Sequence, residues 1–208
     1  MNKQSYFFVL DGVDGSGTTT HTKLLAGYLE NKGYKVYVTQ EPTKSDIGLL
    51  LRKILKDTEI PPTTDALLFA ADRDFHYNIE IKKKLDEGFI VISDRYIEAS
   101  IVYQCTQSED ISVEWIKLIN KFVGKPDLMI ILDINPEISL LRKKNNELEK
   151  FENIEFLKKV RDFFIKRAKK KNYNIVNSDD IIEFTQEKIQ NIVMEYIKKD
   201  NTNRNNNN

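Results

Sequence analysis

Cysteine is almost absent from this sequence of 208 residues, which contains one, Cys105. A single cysteine excludes a disulfide within the chain and a zinc site built on cysteine ligands, and we interpret Cys105 as a buried thiol. Apolar runs long enough to span a membrane are also lacking, as is the pattern of a signal peptide at the N-terminus. These absences predict a cytoplasmic protein without a membrane partner.

An excess of either charge is lacking as well, because Lys+Arg and Asp+Glu both number 32. Proteins that bind nucleic acid usually carry a basic excess, so no nucleic-acid partner is expected. Hydrophobic residues make up 40% of the chain, which is enough for one core at this length. We expect a single domain at residues 1–199. The Asn-rich tail at residues 200–208 has no apolar residue and is expected to be disordered.

Short apolar runs alternate with segments of helical periodicity along the chain. The runs predict five strands, at residues 6–10, 36–39, 89–93, 128–132 and 173–176. Helical spacing puts Leu24 and Leu50 on the apolar faces of the first two helices, and Thr63 or Thr64 is expected to cap a long helix that ends near Gly88. Strands that are apolar on both faces predict an α/β fold with three layers, in which helices cover a five-stranded parallel sheet.

A loop rich in glycine, residues 11–20, follows the first strand and precedes a helix. Compared with the phosphate-binding pattern G-x-x-x-x-G-K-[ST], Gly12, Gly17 and Thr19 match, but Thr18 occupies the lysine position. Such a loop turns backbone N–H groups toward an anion at the N-terminus of a helix, and Thr19 can offer its hydroxyl to Mg²⁺. The point charge of the lysine on the phosphates is lost. A turn without a ligand is the alternative interpretation.

A further pair of charged residues falls at the carboxyl end of a strand, where parallel sheets bind ligands. Asp94 and Arg95 follow the third strand; a carboxylate suits magnesium and a guanidinium suits a phosphate, although a surface ion pair is the alternative. Phe69 and Arg73 lie one helical turn apart on the long helix. From residue type alone, Phe69 is expected in the core and Arg73 as a charge exposed to solvent. Lys23, Lys44 and the lysines after residue 142 are candidates for the missing cation of the loop, and the sequence leaves that choice open.

Taken in order, these segments resemble the thymidylate kinase family of P-loop nucleoside-monophosphate kinases. The resemblance extends over about residues 6–198 and rests on Arg52 and on the segments DGVDGSGTTTHTKLL, QEPT, LLFAADR, ISDRYIEASIVYQ and PDLMIILDINPE. It implies a P-loop NTPase-type fold with a short lid. It also implies transfer of the γ-phosphoryl group from ATP, with Mg²⁺, to dTMP by a homodimer.

The resemblance also implies roles for individual residues. The residues that it assigns to ATP binding are Gly12, Val13, Asp14, Gly15, Ser16, Gly17, Thr18, Thr19 and Thr20. Those for dTMP are Asp14, Glu41, Pro42, Arg52, Phe69, Arg73, Arg95, Ser100, Tyr103 and Gln104. Magnesium is assigned to Thr19 and Asp94, and catalysis to Thr18, Asp94, Arg95 and Lys150. A lid at about residues 142–152 would supply the cations Arg142, Lys143, Lys144 and Lys150.

By the same resemblance, Phe69 stacks on thymine, Arg73 donates to a thymine carbonyl, and Arg95, helped by Arg52, holds the acceptor phosphate. Asp14 reaches the 3′-hydroxyl of the sugar, and Tyr103 packs against the deoxyribose.

The sequence departs from the family pattern at several positions. Thr18 replaces the loop lysine, His21 stands where glutamine is frequent, and Cys105 and Thr106 replace glycines. Our hypothesis is that the lid cations and Mg²⁺ compensate for Thr18. Two other functions stay open: a nucleotide kinase with another acceptor, and a nucleotide-binding protein with little catalytic activity.

Overall fold

The computed structural model describes residues 5–55, 59–142 and 153–206. All strands of the sheet are parallel, in the order β2-β3-β1-β4-β5. They are β1 (Tyr6–Gly12), β2 (Val36–Gln40), β3 (Ile90–Asp94), β4 (Leu128–Asp133) and β5 (Asn174–Asn177). The predicted α/β class and the five-stranded parallel sheet are therefore confirmed.

Helices connect the strands and cover both faces of the sheet. They are α1 (Thr18–Asn31), α2 (Asp46–Ile54), α3 (Pro62–His76), α4 (Lys82–Asp86), α5 (Ile97–Gln107), α6 (Val113–Ile119), α7 (Pro136–Arg142), α8 (Ile154–Lys171) and α9 (Ile182–Asn206). A π-helical turn, Tyr77–Ile81, joins α3 to α4. Within the described ranges, no helix combines the length and apolar character needed to cross a membrane. The cytoplasmic location stays a prediction.

The central strand β1 has a core on each side, which explains its continuous apolar sequence. Phe7 and Val9 pack on one face of the sheet with Phe164 of α8. Phe8 packs on the other face with Leu29 of α1. Successive side chains of a strand point to opposite faces of the sheet, and in β1 the side chains on both faces are buried. The parallel pairing of β2 and β1 with β3 keeps the carboxyl ends of the three strands level. The loops that follow these strands therefore meet at one edge of the sheet.

The structure corrects several local expectations. The long helix begins at Pro62, with Pro61 as the residue before it and neither threonine as its cap; proline suits a first helical position because it has no N–H to satisfy. Leu24 is 42% exposed and Leu50 is 46% exposed, because each lies beside the stripe of its helix that faces the core. Cys105 is half-buried, and this partial burial raises the pKa of its thiol.

The expectation of a disordered tail is wrong for residues 200–206, where α9 continues through Asn206. Polar contacts fix this end of the helix. The Asp200 carboxylate accepts a hydrogen bond from the Tyr6 hydroxyl at 3.0 Å and pairs with Arg204 at 2.7 Å. Composition alone missed these contacts, because they depend on where the helix ends relative to β1. Residues 207–208 lie outside the described part of the chain.

A buried ion pair anchors α5, the helix that carries Ser100, Tyr103 and Gln104. The two carboxylate oxygens of Glu98 accept hydrogen bonds from Arg167 of α8 at 2.5 and 2.8 Å. The Tyr173 hydroxyl donates a third, at 3.0 Å. These three hydrogen bonds connect α5 to α8 and to the residue before β5, and they position α5 beside the edge of the sheet where the loops meet.

Candidate functional site

The loop between β1 and α1 needs glycine at positions where it touches other elements. A Cβ atom on Gly12 would lie 2.5 Å from the Leu132 carbonyl oxygen, and one on Gly15 would lie 2.6 Å from that of Ser139. Gly15 and Gly17 have φ values of 79° and 92°, which favour glycine. Gly12, Val13 and Ser16 are buried beneath the loop surface, and the predicted phosphate loop is thus closely fitted to β4 and α7.

A cavity of about 770 Å³ opens beside this loop; we call it the loop cavity. Its lining includes Asp14, Gly15, Gly17, Thr18, Thr19 and Thr20 from the predicted ATP-binding residues, with His21, Arg95 and Arg142. In the described part of the chain no side chain caps the N-terminus of α1, so its first N–H groups and the positive end of the helix dipole are available to an anion. The volume and this polarity suit a nucleotide.

His21 has a structural partner at the wall of the loop cavity. Its Nδ1 lies 2.8 Å from the Gln186 side-chain oxygen of α9. Burial lowers the pKa of His21, which favours the neutral imidazole at neutral pH. The departure from glutamine at this position therefore ties α1 to α9 and adds no charge to the cavity.

Thr18 occupies the lysine position as a buried side chain, and Arg95 and Arg142 are cations that line the loop cavity around it. Arg142 donates to the Ser178 carbonyl at 2.9 Å. Lys23 and Lys44 line a separate cavity of about 360 Å³ on the β2 side of Thr19 and Asp94. Of the expected lid cations, Lys143, Lys144 and Lys150 lie outside the described residues.

The predicted magnesium ligands are in contact with each other. The Thr19 hydroxyl donates a short hydrogen bond to one carboxylate oxygen of Asp94. The other oxygen, Oδ1, is buried and has no hydrogen-bond partner among the described residues. A hydroxyl and an available carboxylate oxygen fit Mg²⁺, which accepts one or two protein oxygens together with phosphates and water. In the described ranges no cluster of three or more His, Cys, Asp or Glu side chains offers a metal site.

Asp11 supports the site from behind the loop, fully buried and outside the lining of both cavities. Its buried carboxylate accepts hydrogen bonds from the backbone N–H groups of Gly12 and Ala99, each at 2.9 Å. Burial raises the pKa of this carboxyl to about 7. Asp11 thereby joins the start of the loop to the first turn of α5. The signal in the sequence that could have indicated this role is the position of Asp11, an acidic residue directly after the apolar run of the first strand.

Arg95 lies at the centre of the site in a left-handed backbone conformation, with φ 72°. Its guanidinium donates to the Gly12 carbonyl at 3.1 Å and to the Asp14 carboxylate at 2.5 Å, and it lies 5.5 Å from the centre of the Tyr103 ring. The Tyr103 hydroxyl accepts a hydrogen bond from the Asp14 N–H at 3.0 Å. Three predicted site residues are thus brought together at the junction of β1, β3 and α5.

A second, smaller cavity of about 90 Å³ lies next to Arg95; we call it the Phe69 pocket. It is lined by Asp14, Pro42, Leu55, Phe69, Arg95, Ala99, Ser100, Tyr103 and Gln104, which include most of the residues assigned to dTMP. The Gln104 side-chain oxygen is buried without a partner among the described residues. A mostly apolar lining with a few polar groups is the usual composition of a small-molecule pocket.

Arg73 is not a solvated charge, because it is 1% exposed and lies behind the wall of the Phe69 pocket. Its guanidinium donates to the Glu41 carboxylate at 2.8 Å, to the Asn120 side chain at 2.9 Å and to the Ser100 hydroxyl at 2.9 Å. Arg52 is exposed and donates to the Pro42 carbonyl. Glu41, Arg52 and Arg73 therefore support the pocket from outside its lining, with Arg73 nearest through Ser100.

Comparison with known proteins agrees with this geometry. The family model described as thymidylate kinase matches residues 10–189. A probable thymidylate kinase of Caldivirga maquilingensis is 42% identical over 85% of this chain and 87% of its own length. Those of Pyrobaculum aerophilum and Pyrococcus horikoshii are 44% and 42% identical, over 83% and 86% of this chain and 88% and 91% of their own lengths. The chain therefore belongs to the thymidylate kinase family.

Proposed function

We propose that the chain transfers the γ-phosphoryl group of ATP to dTMP, which yields ADP and dTDP. The observation that carries this proposal is that Asp14 and Arg95 line both the loop cavity and the Phe69 pocket. A donor in the first cavity and an acceptor in the second would bring their phosphates together at the Arg95 guanidinium. Phosphoryl transfer requires this arrangement, because its catalysis is mostly positioning and charge neutralisation.

In this proposal the donor phosphates bind to the N–H groups of the loop and of the first turn of α1. Thr19 and Asp94 hold Mg²⁺, which when bound neutralises charge on the phosphate oxygens. Thr18 brings no charge of its own. We propose that Arg95 and the lid cations Arg142, Lys143, Lys144 and Lys150 supply the charge that the loop lysine gives in the usual pattern.

The acceptor is proposed to bind with its base against Phe69 and with Ser100 and Gln104 as polar partners. Tyr103 lies where the sugar would sit, and Arg95 would bind the acceptor phosphate as a bidentate donor. No general base is needed, because the second pKa of a phosphate monoester is about 6. The acceptor is therefore already a nucleophile at neutral pH.

ADP formation from ATP and Mg²⁺ tests this proposal, with dTMP, dUMP, dCMP, UMP or no acceptor. We expect turnover that depends on dTMP and is abolished by EDTA. We expect dUMP to be roughly 10- to 200-fold less efficient in kcat/KM, the usual effect of one methyl group in an apolar pocket.

Thr18→Lys is expected to change kcat less than about tenfold, because other cations already bind the phosphates in this proposal. The same assay of ADP formation with dTMP measures this effect.

Two results would contradict the proposal. If dTMP binds but turnover requires Thr18→Lys, the function is binding and the natural chain is a degenerate kinase. If neither protein responds to dTMP while another monophosphate stimulates ADP formation, the assignment of the Phe69 pocket to thymine is wrong.

We also propose that the chain forms a homodimer through α2, α3 and α6. The helix α3 packs against both α2 and α6, and these helices expose the apolar side chains of Leu49, Leu50, Leu67, Phe75 and Leu118. A contiguous exposed apolar patch marks a protein interface, and we propose that these side chains form one. We expect Leu118→Glu to produce a monomer in sedimentation equilibrium, whereas Leu24→Glu on α1 leaves the dimer intact. A monomeric natural chain would contradict this proposal.

A further inference from the structure

His76 is the last residue of α3 and is buried outside both the loop cavity and the Phe69 pocket. Its Nδ1 lies 3.1 Å from a carboxylate oxygen of Glu41, and its Nε2 lies 2.6 Å from the Thr39 hydroxyl. That hydroxyl donates its single hydrogen to Glu80 at 2.8 Å. Because Thr39 can then only accept from His76, and because Glu41 accepts at the other side, both ring nitrogens act as donors.

An imidazole that donates from both nitrogens carries a positive charge. The two carboxylates around the ring favour that form. Burial lowers the pKa of His76, but the hydrogen bond to Glu41 and the carboxylate of Glu80, 3.7 Å from Nε2, raise it by more, to about 9. The nearby His76 imidazolium lowers the pKa of Glu80 to about 2. Geometry and electrostatics thus agree on a charged His76 at neutral pH.

Glu41 connects His76 to Arg73. One oxygen of the carboxylate faces His76, and the other accepts from the Arg73 guanidinium at 2.8 Å. Arg73 and His76 lie three residues apart on α3 and therefore on one face of the helix. The remaining Arg73 donors reach Asn120 and Ser100, each at 2.9 Å, and the Tyr96 carbonyl at 3.3 Å. The Arg73 guanidinium is thus held between Glu41 and the wall of the Phe69 pocket.

We propose that His76 is a positioning residue for the phosphoryl acceptor, which fixes the Glu41 carboxylate so that Arg73 stays against Ser100 in the wall of the Phe69 pocket. This inference rests on the proposed function, in which the pocket receives dTMP. Without the imidazole, one Glu41 oxygen would be buried and unpaired, and the carboxylate would turn to satisfy both oxygens with Arg73. Arg73 would then move away from Ser100.

The first test compares two substitutions at His76. In His76→Asn the side-chain amide can still donate to Glu41 from near the position of Nδ1, whereas in His76→Leu nothing donates. We expect His76→Leu to raise the KM for dTMP about tenfold, with kcat and the KM for ATP changed less than about twofold, because one hydrogen bond to a charged group is lost. We expect His76→Asn to restore most of the affinity. Direct calorimetric titration with dTMP should reproduce the same order of affinities.

A control variant separates positioning from loss of stability. Ile81 is fully buried in the π-helical turn next to His76, and Ile81→Val lowers stability without touching Glu41. We expect it to lower the Tm and to leave the KM for dTMP unchanged. If the three variants lower the Tm and none changes the KM or the dissociation constant of dTMP, the positioning role is wrong. If the natural chain neither binds nor phosphorylates dTMP, the proposed function fails, and the positioning role fails with it.

The dependence on pH gives a second readout that a purely structural role would not change. The charged groups that face His76 are Glu41 and Glu80, with Arg73 beyond Glu41 and Tyr37 beyond Glu80. Burial and the hydrogen bond to Glu80 raise the pKa of Tyr37 to about 12, so it stays neutral. Since the pKa of His76 in the folded chain is raised, its contribution is complete at lower pH and is lost as the pH rises through about 9.

In the natural chain the KM for dTMP should therefore be constant from about pH 6.5 to 8, above the pKa of the acceptor phosphate at about 6. Glu80→Gln removes one of the two carboxylates that help His76 to retain its proton. The increase in the KM for dTMP should therefore begin at lower pH than in the natural chain. Identical profiles for the two proteins would overturn the role of the charged imidazole. With His76→Asn already in place, Glu80→Gln should have no further effect on the profile.

Discussion

Arg95→Ala is expected to lower kcat about 10³-fold, which is the effect of removing a cation that stabilises the transition state of phosphoryl transfer. The Arg95 guanidinium lies in both cavities and contacts Gly12 and Asp14 through different nitrogens. Arg95→Lys should recover little activity, because an ammonium cannot reproduce two separate planar contacts. Initial rates at saturating ATP and dTMP measure this effect.

The control for Arg95 is an arginine outside both cavities. Arg204 pairs with Asp200 near the end of α9, so Arg204→Ala should leave kcat unchanged. Both Arg95 variants keep a side chain at φ 72°, so the backbone strain is the same as in the natural chain and the Tm should change by only a few degrees. If kcat of Arg95→Ala fell less than tenfold, the donor and acceptor phosphates would not meet at this residue.

The parts of the fold that the sequence predicted are those set by short-range patterns. The five strands are continuous apolar runs, and the loop at residues 11–20 carries its glycines in a fixed spacing. Asp94 and Arg95 were assigned correctly to the edge of the sheet, because the end of a strand determines where the next residues lie. The grouping of Arg95 with Asp14 and Tyr103 came from the resemblance, and the structure brings these three residues together.

The residues that the sequence could not predict depend on partners far along the chain. The burial of Arg73 requires Glu41 and Asn120, which reach it only after α3 has packed beside β2 and α6. The spacing of His76 and Glu80 indicates one carboxylate partner on the same helix face. The contacts of His76 with Glu41 and of Asp11 with the Ala99 N–H come from distant segments and could not be predicted. Apolar periodicity also failed for Leu24 and Leu50, because a helix with a wide apolar face does not indicate which edge of it is exposed.

Gly15→Ala is expected to lower kcat/KM for ATP about 100-fold or more, because misplaced donors at a phosphate lose most of their contribution. The added Cβ would lie 2.6 Å from the Ser139 carbonyl oxygen, which belongs to the backbone of α7 and cannot rotate away. The loop must therefore shift, and its N–H groups no longer point at the phosphates. The φ of 79° at this position adds backbone strain for alanine, about 1–2 kcal/mol.

Gly33→Ala separates the two causes, because Gly33 has a similar φ of 87° but, apart from its chain neighbours, no atom of the described residues within 4 Å of an added Cβ. It should lower the free energy of unfolding by about 1–2 kcal/mol and leave kcat/KM unchanged. Gly27 lies in α1 with open space around it, and Gly27→Ala should raise stability by about 0.5–1 kcal/mol. Loss of activity in Gly15→Ala alone would locate the effect in the contact between the loop and α7. Equal loss in Gly33→Ala would mean that stability, and not the shape of the phosphate loop, limits activity.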